Sequence, residues 1–287
     1  MGIFFALLAA VLAALAYTSA KKSYEDFPPS IAFFLSMVFG LIIYVPFGLL
    51  SGLHFSGLPT TFLYAFVSAI LAEAFYFYVL SKGELSITGT VIGTYPLFVI
   101  LFSAFINHEH LSLVQGFFIG LTILGIIILS LPKKLKEKTL VKATRNGAIL
   151  WALAGAIAVG LSDSLTKHAI NQTSAGTFLF ALAFAQIPVA IVYLFLEKQS
   201  LSQFAKIFHH FKNYQFAAYG GLLNIVNVLC LFLAFQFTLA SIASPIGASY
   251  PSMMILFAVL FLKEKIAKKD LLGLVITIIG VIGISAL

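Results

Sequence analysis

The sequence predicts an all-α membrane protein: ten transmembrane helices, arranged as two inverted five-helix repeats around a central cavity. Three observations carry this expectation. The chain of 287 residues is 61% hydrophobic and only 9% charged, where a soluble domain carries about 25% charged residues. Its apolar runs approach the ~20 residues that a crossing helix needs. And one long stretch of it recurs further along the chain at a constant offset.

The composition excludes a soluble fold, which would expose large apolar patches to water. The formal charge of +7 is therefore not read as a nucleic-acid signal, because basic residues in short loops between apolar spans set orientation in a bilayer. The lone cysteine, Cys230, excludes an intramolecular disulfide. Its neighbours Val228, Leu229 and Leu231 suit a small apolar filler in a helix.

The spans are expected, in order, at 2–20, 30–50, 60–80, 86–106, 113–131, 147–168, 175–196, 214–237, 241–262 and 270–286. Lys21, Lys22, Glu25, Asp26, Pro28 and Pro29 end the first. Gly57 and Pro59 divide the second from the third, and Lys82-Gly83-Glu84 makes the next turn. The polar run from Pro132 to Arg145 is the longest in the first half. Met1 to Ala20 lacks the basic start of a signal peptide and is kept as a span. Only helices fit these runs, because bilayer-exposed backbone must bond internally and the runs are twice the length of barrel strands. Gly89/Gly93 and Gly116/Gly120 have the spacing that lets helices approach closely.

Residues 86–131 align on 241–286 without a gap, at an offset of 155, with thirteen of 46 positions identical. The matches include Tyr95/Tyr250, Pro96/Pro251, Glu109/Glu264, Thr122/Thr277 and Gly125/Gly280. Shared apolar composition does not align a Tyr-Pro pair, a turn glutamate and a late glycine together. A weaker match pairs Gly2 with Gly147 and Lys22 with Lys167. The chain thus divides into a first five-helix repeat (1–131), a basic linker (132–146) and a second repeat (147–287). Five is odd, so successive units enter the membrane from opposite sides. Inverted repeats of this kind are the architecture of many secondary transporters, with the site near the midplane.

Here the sequence resembles the ten-helix EamA-type transporters of the drug/metabolite transporter superfamily. The resembling residues are Lys82 to Ser86, Ser86 to Glu109 with Thr94-Tyr95-Pro96 and His108-Glu109, and Ser241 to Glu264 with Ser244-Pro245, Ser249-Tyr250-Pro251 and Lys263-Glu264. It departs at Thr90, opposite Pro245, and at Tyr17, where the family often has Trp. The resemblance implies a cavity lined mainly by spans one, three, four, six, eight and nine. It also implies transport of small polar metabolites, often export of amino acids or related compounds.

Polar residues inside the spans are the candidate chemistry, since a charge at the membrane centre costs roughly 2.5–3.5 kcal/mol on insertion scales and should face the bundle interior. Glu73 is mid-span, with Tyr76 three residues on. Its carboxylate can give up its charge by taking a proton, or keep it beside a cationic cargo. Asp163 and Lys167, four apart, share a face and can pair, while Lys167 can snorkel from a span end. Asn224 and Asn227 share a face of the eighth span and offer donors and acceptors to a polar solute, or serve as interhelical glue. Gln186, beside Pro188, ranks lower. Tyr95-Pro96 and Tyr250-Pro251 predict kinks or hinges, with freed carbonyls and the Thr94 and Ser249 hydroxyls available to the cavity. Glu109 and Glu264 are read as caps or cross-repeat bonds. His108-Glu109-His110 lacks the helical spacing of a zinc pair, and His209-His210 falls in a loop.

No HExxH, CxxC, phosphate loop or Walker lysine is present, so an enzyme is not expected, nor a metal or cofactor. The expected function is secondary transport: export of a small polar metabolite by alternating access, driven by a gradient of protons or another ion. Uptake of a small solute is the alternative, ahead of a non-transporting membrane protein. The expected surroundings are the lipid bilayer of the cytoplasmic membrane, with no nucleic acid partner, as a monomer or dimer. With ten spans, every lysine and arginine except Lys167 falls on one face, which the positive-inside rule makes cytoplasmic. Both termini are then outside.

Overall fold

The structure, a computed structural model, describes residues 1–20, 28–80, 91–131, 147–199, 211–263 and 266–287. Lys82 to Thr90 (with Gly89), the linker 132–146, His209-His210 and Glu264 lie outside these residues, as does the Tyr17 side chain. The described residues are helical, with no strand among them. The helices are α1 (Gly2–Ala20), α2 (Pro29–Ser51), α3 (Leu58–Ser68), α4 (Phe75–Leu80), α5 (Tyr95–Ile106), α6 (Leu113–Ser130), α7 (Ala148–Gln172), α8 (Ala175–Leu196), α9 (Phe211–Phe237), α10 (Ala240–Gly247), α11 (Tyr250–Leu262) and α12 (Lys268–Ser285). A π-helical stretch, Ala69–Ala74, joins α3 to α4.

Burial is inverted relative to a soluble protein. Phe105, Phe195, Leu260 and Ile282 are exposed, while Glu109, Asp163, Lys167 and Gln186 are buried. An apolar outside around a polar inside belongs in lipid. Six stretches among the described residues are long and apolar enough to cross: Ser30–Ser51, Phe55–Val79, Leu113–Ser130, Ala148–Gln172, Ala175–Leu196 and Ala218–Phe237. The protein is an integral, multi-pass membrane protein. Of the remaining expected spans, the first is α1 and the fourth is described from Val91 onward. The ninth is split into α10 and α11, and the tenth begins with Lys268, Lys269 and Asp270.

Two pairs of helices that meet across the two halves, α6 with α12 and α2 with α8, run antiparallel. On α6 and α12, a Cβ at Gly125 would meet the Thr277 backbone nitrogen at 2.6 Å and the Gly273 carbonyl at 2.8 Å. A Cβ at Gly280 would meet the Thr122 nitrogen at 2.6 Å and the Phe118 carbonyl at 2.8 Å. Each member of one pair is 155 residues from its counterpart in the other, so the interface is its own mirror under the repeat. Forward along α6 is backward along α12. The threonines turn inward alike: Thr122 Oγ1 donates to Phe118 O at 3.0 Å and Thr277 Oγ1 to Gly273 O at 2.8 Å. On α2 and α8, Gly40 faces Gln186 while Gly48 faces Phe180 and Gly176, again antiparallel. The expected Gly116/Gly120 contact is not made: both glycines face open space. Glycine produces close packing only where a partner backbone is present, and that is one turn deeper, at Gly125.

Two carboxylates close helix ends from other elements. Glu197 Oε2 accepts from Ser30 N at 3.1 Å, at the start of α2. Glu109, buried in the turn after α5, accepts from Ala240 N at 2.8 Å, Ser241 N at 2.9 Å and Ser241 Oγ at 2.6 Å. It thus caps α10 across the repeat, where the helix dipole favours an anion. The turn carrying it places His108 at φ 52°, and the repeat-related turn places Lys263 at φ 54°.

Candidate functional site: a cavity between the two halves

The tyrosine-proline pairs do not kink continuous helices. The chain breaks at Gly93-Thr94 and again, 155 residues on, at Ala248-Ser249. Pro96 and Pro251 are the second residues of the helices that restart there, α5 and α11. Proline is tolerated at that position because its missing N–H has no intrahelical partner there. The neighbouring hydroxyls turn back on their own chain: Thr94 Oγ1 donates to Val91 O at 2.7 Å and Ser249 Oγ to Ile246 O at 2.6 Å. Neither residue is in the cavity wall, contrary to the expectation that they line it.

Beside these breaks lies a cavity of about 150 Å³. Its walls bring together Glu73 and Tyr76 from the third expected span, Tyr95 after the first break, Asp163 from α7, Asn224 and Asn227 from α9, and Tyr250 after the second break. Seven of the expected site residues thus share one enclosure. Among the described residues no α1 side chain is in the wall, whereas the second span supplies Ser36. Discontinuous helices at such a place mark the binding site in transporters built from repeats.

Glu73 sits in the π-helical stretch, a distortion frequent at functional sites. Its Oε2 accepts from Gln186 Nε2 at 2.6 Å. Gln186, fully buried on α8, is the residue that the sequence reading undervalued. Its signal was a lone amide inside an apolar span. Asp163 Oδ2 accepts from Ser244 Oγ at 3.4 Å, and Asn227 Nδ2 donates to Asn224 Oδ1 at 3.4 Å. Ser68, itself in the wall, accepts from Ser162 Oγ at 2.8 Å.

Asp163 and Lys167 do not pair. Lys167 Nζ donates to Phe235 O at 2.5 Å and Thr238 O at 2.9 Å. The ammonium therefore closes the C-terminus of α9, where terminal carbonyls lack intrahelical donors and the dipole favours a cation. Nor does Lys167 snorkel, since only 6% of it is exposed. The sequence spacing put both groups on one face but could not show that a neighbouring helix ends there.

A helical membrane bundle with a solute-sized cavity at two repeat-related helix breaks, its wall carrying two carboxylates and two amides, has the form of a membrane carrier. The chain belongs to the EamA-like transporter family, which matches it over residues 1–131 and again over 146–286. It is a membrane transporter of the drug/metabolite transporter superfamily. No curated protein sequence matches the chain significantly. A crystal structure of a protein is similar over 99% of this chain and 97% of its own, with a TM-score of 0.74 and 15% sequence identity. That likeness is one of fold.

Proposed function

We propose that this transporter is a secondary carrier, moving a small polar metabolite, an amino acid or related compound, by alternating access. Its ten spans form two inverted five-helix repeats, residues 1–131 and 147–287, joined by the linker 132–146. The observation that carries this reading is a cavity at the paired breaks, walled by residues of both halves. Two similar units that meet head to tail, as α6 meets α12, can exchange conformations and open one central site to either side. Glu73 and Asp163 take part in coupling to protons or another ion, and export is the favoured direction. Flux into reconstituted vesicles, screened with amino acids, amines and nucleotide precursors under an imposed proton gradient, tests the reading. Absence of gradient-dependent flux of every compound overturns it.

The amides of Asn224 and Asn227 hold the solute. Asn224→Leu and Asn227→Leu each weaken solute affinity about tenfold, the equivalent of ~1.4 kcal/mol, as measured by the half-saturating concentration for flux. A solute-bound structure with both amides turned to another helix refutes this role.

The carrier lies in the cytoplasmic membrane with both termini outside the cytoplasm. The support is the charge asymmetry, in which Lys167 alone departs from the basic face, and Lys167 is itself consumed as a helix cap. Alkaline phosphatase fused at Leu287 is active and a fluorescent protein fused there is dark. Bright fluorescence without phosphatase activity places the C-terminus inside and refutes the orientation.

A further inference from the structure

We infer that the cavity selects net positive charge, and that its cargo is a small dicationic amine. This rests on the carrier reading above and narrows its cargo from amino acids and related compounds to amines that lack a carboxylate. The wall holds two carboxylates, Glu73 and Asp163, and among the described residues no lysine, arginine or histidine. Lys167, one helical turn from Asp163, is turned away to the end of α9. The two carboxylates are held by neutral groups, the Gln186 amide and the Ser244 hydroxyl.

A buried anion left without a counter-charge costs several kcal/mol. A cation admitted to the cavity beside them lowers that cost, and an anionic solute raises it. The rest of the wall suits the same guest. Tyr76, Tyr95 and Tyr250 bring aromatic rings, whose faces attract ammonium groups. The asparagine carbonyls accept N–H donors. Zwitterions fit less well, because no basic side chain in the wall answers a carboxylate.

Size narrows the class. A drug-sized ligand occupies a pocket of roughly 300 Å³ or more, twice this cavity's 150 Å³. A cavity near 150 Å³ holds a molecule of about six non-hydrogen atoms, such as benzene. A four-carbon diamine has that size, and its two charges equal the two carboxylates in number.

A four-carbon series separates charge from shape. Binding to the purified full-length protein is measured by calorimetry for 1,4-diaminobutane, butylamine, 4-aminobutanoate, butane-1,4-diol and succinate. The diamine is expected to bind at least about tenfold more tightly than butylamine or 4-aminobutanoate, with no saturable binding of diol or succinate. Glu73→Gln and Asp163→Asn, whose shapes are conserved, each lose about tenfold for the diamine and reduce its advantage over butylamine. Melting temperature checks that both variants fold. Binding of 4-aminobutanoate or the diol as tight as that of the diamine overturns charge selection, as does a diamine affinity unchanged in both variants or no diamine binding at all. Flux in vesicles separates the two proposals. Saturable diamine binding without flux refutes the carrier and leaves charge selection standing. Flux of 4-aminobutanoate with no preference for the diamine refutes charge selection and leaves the carrier standing.

Discussion

Glu73→Gln brings gradient-coupled flux to background, a loss of about a hundredfold or more, in a protein that still folds. The side chain is nearly isosteric, and the new amide can keep its bond to Gln186, whose Nε2 now donates to Glu73 Oε2 at 2.6 Å. What disappears is the ability to hold a charge or carry a proton. No other wall residue replaces it: Asp163 reaches the cavity from α7 and is tied to Ser244 on α10, whereas Glu73 stands on the π-helical stretch before α4. A loss of two factors of ten in rate corresponds to about 2.7 kcal/mol of differential stabilisation, a little below the ~3–5 kcal/mol lost when one partner of a buried charge pair is removed. The measurement is flux in proteoliposomes as a function of imposed pH gradient, alongside melting temperature in detergent. A stable variant with unchanged flux and unchanged pH dependence refutes the role given to Glu73.

Gly125→Ala and Gly280→Ala each destabilise the protein by about 1–3 kcal/mol, the usual cost of forcing extra atoms into packed helices. The new methyl in each case meets partner backbone below 3.0 Å, and backbone cannot swing aside as a long side chain can. Because the two sites are repeat-related halves of one contact, the double substitution costs less than the sum, since one separation of α6 from α12 relieves both. Gly120→Ala on the same helix points into open space and changes stability by less than about 0.5 kcal/mol. Thermal unfolding of the three variants in one detergent checks this. Equal stability of Gly125→Ala, Gly280→Ala and Gly120→Ala removes the proposed interface.

Much of this protein is written in local sequence. The apolar runs predict helices in lipid because a bilayer core leaves backbone groups no partner outside their own helix. The offset of 155 aligns Tyr95-Pro96 on Tyr250-Pro251 and Thr122 on Thr277, and each aligned position has the matching backbone environment in space. Helical spacing put Asn224 and Asn227 on one face, and both reach the cavity.

What a face looks toward was left to the tertiary structure. Lys167 and Asp163 share a helix face, yet the end of α9 draws the ammonium away and leaves the carboxylate to the cavity. Gly116, Gly120 and Gly125 are alike as glycines of one apolar helix, and only the course of α12 makes the last of them a contact. Gln186 gained its place because α8 packs antiparallel on α2 behind the Glu73 carboxylate. Lipid is the reason for the division: it rewards any apolar helix surface about equally, so hydrophobicity sets which segments cross the membrane. The choice among faces falls to close packing and to the few polar groups that must find one another, and those partners come from distant parts of the chain.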